Sequence, residues 1–144
     1  MGKRQQNLNT SGNKALKWLE ERIALLKREN LPRLGRWEIA KKVEPISAAF
    51  AGNATLDLTA VVHEESYFVM NMRVSPVDES DSGTKTLFEA MEKHWALPEV
   101  LLVRDEKLYD ELVPISGALN FTLERVRKLK AIPQVFRAMT SMLK

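Results

Sequence analysis

The sequence predicts an α/β domain in which one mixed β-sheet is flanked by helices as three layers, with an amphipathic helix at the amino terminus. In the first half, two runs of alternating apolar residues joined by a short polar link indicate an antiparallel hairpin. In the second half, strand-like, helix-like and strand-like segments follow one another within about 30 residues, which is typical of a βαβ unit with parallel strands. We therefore expect an antiparallel hairpin followed by parallel βαβ units in one sheet.

The composition is that of one ordinary soluble domain, with 44% hydrophobic and 28% charged residues in a chain of 144. The chain contains no Cys, which excludes disulfides, thiolate nucleophiles and Cys-based metal sites. No apolar run reaches the ~18 residues that a membrane span needs, and no secretory signal follows Met1. We therefore expect a cytoplasmic protein without a membrane partner.

One of the two amino-terminal segments is predicted to be disordered and the other to be folded. Residues 1–13 are polar and lack periodicity, so we expect a disordered basic and polar tail. Residues 14–35 are predicted to form an amphipathic helix and a connector. The helix extends over residues 14–29, and its apolar face is formed by Leu16, Leu19, Ile23 and Leu26. Such a face needs a partner, so we expect it to contact the domain, a second copy of the chain or another protein.

Residues 36–144 are predicted to form a single α/β domain. Residues 37–43 have the character of an edge strand, and the sequence leaves open whether they join the main sheet. Residues 55–63 and 67–74 alternate apolar and polar side chains and form the predicted hairpin. Residues 46–51 remain ambiguous between strand and loop.

An acidic loop then precedes a second helix over residues 84–95, where Thr86 and Glu89 fit a capping box. Residues 100–103 form a Pro-led apolar run that predicts a buried strand. Asp105 is well placed to cap the helix that follows. Because Pro114 falls inside that helical pattern, we expect the helix to kink or break near Val113.

The end of the chain completes the predicted βαβ unit. A short strand is expected to begin at Phe121, parallel to residues 100–103. The last helix is predicted over residues 132–143, with Pro133 in its first turn.

The charges are unevenly distributed along the chain. The net charge is +6 over residues 1–44, −8 over residues 45–111 and +5 over residues 112–144. Basic ends of this kind either bind nucleic acid or pair with the acidic middle, within the fold or in a dimer. The candidate phosphate-contacting residues are Arg33, Arg36, Lys41, Lys42, Arg125, Arg127, Lys128 and Lys130. Because few aromatic residues lie among them, base stacking is not indicated.

The order of elements resembles the ribonuclease-H-like fold, which is the core of retroviral-type integrases and transposases. Trp37 precedes the strands as a Trp often does in integrase cores. The run Leu56-Asp57-Leu58-Thr59 looks like the acidic first strand of that family, and the Pro-led strand that ends at Asp105 looks like the second acidic position. The phrase LPEVLLVRDEKLYDEL more closely resembles uncharacterised bacterial domains of unknown function, which bring no known chemistry.

The integrase resemblance implies Asp57 and Asp105 as catalytic candidates. That chemistry needs three or four carboxylates that converge on two divalent cations. The third acid normally comes from the closing helix, but residues 131–144 contain no Asp or Glu. Glu124 lies on the preceding strand. We therefore favour the interpretation in which Asp57 is a solvent-facing strand residue and Asp105 is a helix cap.

No other motif indicates catalysis or a bound cofactor. His63 and His94 fall in different elements, and His94 is explained by a contact with a helix carboxyl terminus. The sequence has no GxSxG elbow and no glycine-rich phosphate loop. The tract of residues 78–83 lacks the ligand order of a calcium loop. We expect no metal site and no cofactor.

The sequence therefore favours a non-catalytic ribonuclease-H-like module that acts through protein contacts, as a homo-oligomer or with a protein partner bound to the helix over residues 14–29. The alternative is a nucleic-acid-binding protein. The least favoured alternative is a nuclease or integrase-like enzyme that uses Asp57, Asp105 and Mg²⁺.

Overall fold

A computed structural model of the chain describes residues 16–45, 55–77, 79 and 81–143. The chain divides into two units, Met1–Leu31 and Pro32–Lys144. The predicted tail over residues 1–13 and the ambiguous residues 46–51 lie outside the described residues.

The first unit contains helix α1, described over residues 16–28, within the predicted range. Trp18 and Arg22 are four residues apart and therefore lie on the same side of this helix. The guanidinium of Arg22 lies 5.5 Å from the centroid of the Trp18 ring, within the range of a cation–π contact. Association of the chain with a partner through α1 stays a prediction.

The second unit is built on one five-stranded mixed sheet. Its elements, in chain order, are β1 (Arg36–Pro45), β2 (Thr55–His63), β3 (Val69–Pro76), α2 (Ser82–His94), β4 (Val100–Val103), α3 (Glu106–Leu119), β5 (Thr122–Arg125) and α4 (Ile132–Leu143). The strand order is β3-β2-β1-β4-β5. β2 pairs antiparallel with both β1 and β3, whereas β1, β4 and β5 are parallel. The predicted hairpin and the parallel βαβ unit are therefore confirmed.

The prediction that residues 37–43 form an edge strand is wrong, because β1 is the central strand of the sheet. Residues 37–39, which alternate between the two faces of the sheet, are buried, including Glu38, and Ala40 is half-buried. The indole Nε1 of Trp37 donates to the carbonyl of Leu34 at 2.7 Å, which satisfies the polar atom of a fully buried ring. Glu38, Lys41 and Lys42 give β1 the polar pattern of an exposed edge strand, although helices cover both faces of the sheet.

Helices cover the two faces of the sheet and make three layers. On one face, α4 packs over β1 and β2, with Ile132 and Phe136 against Leu58 and Ala60. On the other face, α2 packs over β1, β2 and β3, and α3 lies beside α2 against β4 and β5. The predicted fold class is therefore confirmed.

A kink or a break was predicted near Val113, and the break does not occur, because helix α3 continues through Pro114. Pro114 removes one backbone donor from the helix, and the unpaired carbonyl belongs to Asp110. Both residues are exposed, so water can hydrate the carbonyl. The exposed position explains why the helix tolerates the proline.

The predicted capping box of α2 is also wrong. The helix begins at Ser82, so Thr86 lies inside its first turns and its hydroxyl donates to the carbonyl of Ser82 at 2.6 Å. Asp81 occupies the cap position without a side-chain cap bond.

Among the described residues, none of the helices combines the length and apolar character that a membrane crossing requires.

Candidate functional site

The parallel half of the sheet ends in an open cleft. β1, β4 and β5 run in the same direction, so their carboxyl ends meet at one edge, which we call the carboxyl edge. Ligands of open α/β sheets commonly bind outside the carboxyl ends of the strands. The cleft, which we call the basic cleft, has a volume of about 1010 Å³. It is lined by Ala40, Lys41, Lys42, Arg104, Asp105, Glu106, Arg125, Lys128, Leu129, Ile132, Pro133, Phe136 and Arg137.

Cationic side chains dominate the rim of the basic cleft. The six cations of its lining face two carboxylates, those of Asp105 and Glu106. Like charges held together around a concavity raise the local positive potential and attract anions. The basic cleft therefore favours a ligand with several negative charges.

The floor of the basic cleft is apolar. Phe136 is 8% exposed, and the ammonium of Lys42 lies 6.0 Å from the centroid of its ring. A ring buried in this way cannot stack on a nucleobase. The cations of the rim, and not aromatic stacking, are therefore the features of the described lining that suit an anionic ligand.

A buried carboxylate fixes the wall that α4 contributes. Glu38 on β1 is fully buried. Its Oε1 accepts from the amides of Ile132 at 2.8 Å and Ala131 at 3.0 Å, and its Oε2 accepts from the amides of Lys130 and Ala131 at 3.0 Å. Three consecutive amides at the start of α4 are thus held against the central strand. The carboxylate also offsets the positive end of the helix dipole.

Both acids of the basic cleft already have partners. Asp105 caps α3 as predicted, because its Oδ2 accepts from the amide of Leu108 at 2.9 Å. Oε2 of Glu106 lies 4.0 Å from Nη2 of Arg125. Neither carboxylate is arranged with others as a metal-binding set.

Three arginines extend the positive surface along the carboxyl edge. Arg104, Arg125 and Arg127, with Val126, line an adjoining cleft of about 440 Å³, which we call the arginine cluster. Nε of Arg125 donates to the carbonyl of Arg104 at 3.4 Å, which ties the end of β5 to the end of β4. Because Arg104 and Arg125 line both clefts, the positive surface is continuous.

The prediction that Asp57 faces solvent is wrong, because this residue is 7% exposed. It lies on β2 between Val43 and Ser75, on the face that carries α2 and α3. Asp57 and Asp105 both line a separate cleft of about 580 Å³, which we call the acidic cleft. Lys41 of the intervening strand also lines it, and the Lys41 Nζ lies 3.7 Å from Oε1 of Glu111.

Glu79, Asp110 and Glu111 also line the acidic cleft, but Glu111 is paired with Lys41, and Glu79 is paired with Lys85. Within the part of the chain that the structure describes, no group of three or more His, Asp or Glu side chains is arranged to hold a metal ion. Ala40 offers no metal ligand on the β1 side of the basic cleft. Glu124 is on β5, as expected from the sequence.

The two histidines line a cleft at the opposite edge of the sheet, where β1 begins. The imidazole Nε2 of His94 lies 2.8 Å from the carbonyl of Met70 and is the donor in that hydrogen bond. Nδ1 of His63 accepts from the amide of Ser66 at 3.3 Å. His94 thus has a specific partner on β3 in addition to its place in the last turn of α2.

The structure divides the predicted basic residues between the two edges. Lys41, Lys42, Arg125 and Lys128 line the basic cleft, and Arg127 lies in the arginine cluster. Arg33 and Arg36 lie at the opposite edge, where Nε of Arg36 is 3.5 Å from Oε1 of Glu64. Lys130 is exposed and contributes its amide to Glu38.

Sequence analysis did not identify three residues that form or support the basic cleft. Arg104 directly follows a buried strand, and Arg137 lies one turn beyond Pro133 on α4. Both positions are visible in the sequence, but only the strand order shows that the two side chains line the same cleft. Glu38 is the single acidic residue between Trp37 and Val43, and its burial depends on β1 being central.

A solved structure has the same fold. The catalytic core domain of HTLV-2 integrase, solved in complex with magnesium in a trimeric form, superposes with a TM-score of 0.61 at 10% sequence identity. The match covers 78% of this chain and 70% of the integrase chain. The sheet described above is therefore that of the ribonuclease-H-like fold.

Sequence comparison gives a family without an assigned activity. No curated protein matches the sequence. A family described as a domain of unknown function, DUF6930, matches residues 30–140. The bacterial source of the relatives stays a prediction. Because the match spans most of the chain, including all strands and most of the helices of the second unit, the protein belongs to the DUF6930 family.

Proposed function

We propose that this protein is a non-catalytic ribonuclease-H-like module that binds the sugar–phosphate backbone of nucleic acid in its basic cleft. The observation that carries the proposal is the charge of this cleft, in which six cations and two carboxylates surround an apolar floor at the carboxyl edge. Because of this charge, we favour nucleic-acid binding over protein contact as the function of the carboxyl edge.

The proposed absence of catalysis rests on the ligands that the cleft offers. Two-metal phosphoryl chemistry needs several carboxylates around the cations. The HTLV-2 integrase core was solved with magnesium. In this chain, Ala40 and Lys42 flank the cleft on β1, and Asp105 caps a helix. The ammonium of Lys42 and the other cations of the cleft repel Mg²⁺ and attract phosphate.

The form of the positive surface favours a polymer over a small anion. It continues from Arg137 on α4, past the ends of β1 and β4, to Arg127 beyond β5. Neighbouring strands lie about 4.8 Å apart, so these three strand ends span about 10 Å before the reach of their side chains is added. Phosphates of one B-form strand are spaced by roughly 3.4 Å along the helix axis. Several phosphates can therefore contact the surface together.

The proposal is tested by fluorescence anisotropy with a labelled DNA duplex and a labelled single-stranded RNA of equal length, over a series of salt concentrations. We expect at least one of them to bind at low salt and to be released as salt rises. The double variant Lys128→Ala, Arg137→Ala removes two exposed cations, and it should lower the slope of log K against log salt by about 0.9 for each lost duplex contact. Lys93→Ala, an exposed lysine on α2, is the matched control.

Failure of both probes to bind at low salt overturns the proposal, as does an unchanged slope in the double variant. The metal-dependent alternative predicts cleavage of either probe with Mg²⁺ or Mn²⁺ and a rise in thermal stability at millimolar metal. We expect neither result.

A further inference from the structure

A second cleft lies at the opposite edge of the sheet from the basic cleft. It has a volume of about 550 Å³, and we call it the distal cleft. Its lining includes Arg33, Leu34, His63, Glu65, Phe68 and His94. The function proposed above makes no use of this surface.

Large apolar side chains are exposed at this edge. Leu34 and Phe68 line the distal cleft and are 43% and 55% exposed. Trp95 directly follows the lining residue His94 and is 42% exposed. Exposed apolar groups gathered at one place mark docking surfaces, and aromatic residues are enriched at the centres of protein interfaces.

The backbone at Trp95 strengthens this interpretation. Trp95 ends α2 with a φ of +50°, in the left-handed region that favours Gly or Asn. A bulky exposed indole is an unfavourable choice for such a position. A side chain placed there at a conformational cost is typical of a functional site.

Hydrogen bonds hold the walls of the distal cleft in place. The amide of Leu34 donates to the carbonyl of Leu97 at 2.9 Å, and the amide of His63 donates to the carbonyl of Phe68 at 2.8 Å. The Phe68 ring meets the His94 ring edge to face, with centroids 5.6 Å apart. A surface ordered before binding loses little entropy when a partner docks.

Arg33 is the charged group of the distal cleft that favours an anionic neighbour. The guanidinium of Arg33 donates to the carbonyl of Leu119 at 3.4 Å, and no carboxylate among the described residues forms an ion pair with it. Nδ1 of His63 accepts from a backbone amide, so its Nε2 carries the proton and faces Gly35. Glu65, an exposed residue of the turn, is the one acid of the lining.

We infer that the distal cleft docks a segment of a partner protein in which an apolar side chain lies next to a carboxylate. The apolar side chain packs between Leu34 and Phe68, and the carboxylate accepts from Arg33 and from Nε2 of His63. The inferred surface is separate from the basic cleft, so the chain can hold a protein and an anionic polymer at opposite edges of one sheet.

The test uses the full chain and two synthetic peptides of equal length, one alternating Leu with Asp and the other alternating Leu with Lys. Binding is followed by fluorescence anisotropy and by the imidazole and phenyl NMR signals of the labelled protein. We expect the Leu/Asp peptide to bind at least about tenfold more tightly than the Leu/Lys peptide and to shift the signals of His63, Phe68 and His94. Phe68→Ala and Arg33→Gln should each weaken binding by about tenfold.

Val113→Ala is the matched control, because Val113 is 43% exposed on α3 and lies outside the distal cleft. Thermal unfolding of each variant shows whether it has folded. The inference is overturned if the Leu/Asp peptide does not bind at millimolar concentration, if the Leu/Lys peptide binds equally well, or if folded Phe68→Ala and Arg33→Gln proteins bind like the unmodified chain. None of these outcomes bears on nucleic-acid binding at the other edge.

Discussion

Glu38 illustrates how the neighbours of one residue decide its role. A carboxylate without partners in a protein core is strongly unfavourable. Here three backbone amides at the start of α4 surround it at 2.8–3.0 Å, so the charge is solvated by the protein itself. The same bonds place Ile132 and Phe136 in the floor of the basic cleft.

Replacing Glu38 with Gln should lower the free energy of unfolding by about 1.5–3 kcal/mol. The amide side chain keeps the shape but loses the charge and one acceptor, and hydrogen bonds to charged groups contribute about this much. Urea denaturation measures the change. Glu124→Gln is the matched control, because Glu124 is exposed on β5 and should change stability by less than about 0.5 kcal/mol. Equal stability of the two variants would show that Glu38 does not anchor α4.

Asp57 and Asp105 show the same dependence on surroundings. The sequence places Asp57 within a predicted strand and Asp105 at the end of another, and the integrase resemblance implies them as a catalytic pair. In the structure, however, Asp57 is buried on β2 and Asp105 caps α3. Lys41, on the strand between β2 and β4, faces the same acidic cleft. The sequence predicted the helix cap at Asp105, whereas it did not predict the burial of Asp57.

At the scale of elements, an ion-pair network joins β3 to the start of α2. Glu79, in the loop between them, lies 3.1 Å from Lys85 Nζ and 3.4 Å from Arg73 Nη2. The hydrogen bond from Lys85 is the main cause that lowers the pKa of Glu79 below its ordinary value of 4.5. The bond to Glu79 likewise raises the pKa of Lys85 above its ordinary value of 10.5.

The network should therefore stabilise the fold across the neutral range and less towards either extreme of pH. A lowered carboxyl pKa contributes stability above the ordinary value of 4.5, and this is lost as pH falls through the folded-state pKa. A raised lysine pKa contributes stability below 10.5, and this is lost as pH rises through the folded-state pKa. Because both side chains are partly exposed, the pair should contribute about 0.2–1 kcal/mol.

The measurement is the difference in unfolding free energy between the unmodified chain and Glu79→Gln, as a function of pH. We expect the difference to be largest near neutral pH and to shrink below pH 4.5. Glu65→Gln, on an exposed turn, is the control. A difference that is constant from neutral to acid pH would contradict the assigned pKa shift.

At the scale of the whole molecule, the fold gathers charges that are far apart in sequence. Lys41 and Lys42 come from the basic first part of the chain, and Lys128 and Arg137 from the basic last part. They meet because β4 alone separates β1 from β5. Some basic residues also pair with the acidic middle, as Lys41 does with Glu111 and Arg36 with Glu64. Pairing of basic residues with the acidic middle therefore occurs within the fold, whereas nucleic-acid binding by the basic ends stays a prediction.

The two proposed binding surfaces should act independently, because they lie at opposite edges of the sheet and share no lining residue. Effects at distant sites without shared partners usually add. We expect Phe68→Ala to leave nucleic-acid affinity within about twofold of the unmodified chain, and Lys128→Ala to leave peptide affinity equally unchanged. Anisotropy with both probes measures this. Coupling of about tenfold or more would instead indicate that the two clefts communicate through the sheet.

The sequence by itself determined the local elements and the fold class, because hydrophobic periodicity and helix caps depend on neighbouring residues. The hairpin, the βαβ unit and the cap at Asp105 all follow from such patterns. Tertiary structure decided the central place of β1, the burial of Glu38 and Asp57, and the union of Arg104 with Arg137 in one cleft. These properties depend on which strands become neighbours, and β1 pairs with β4 across more than 50 residues of intervening chain, a distance that local periodicity does not reach.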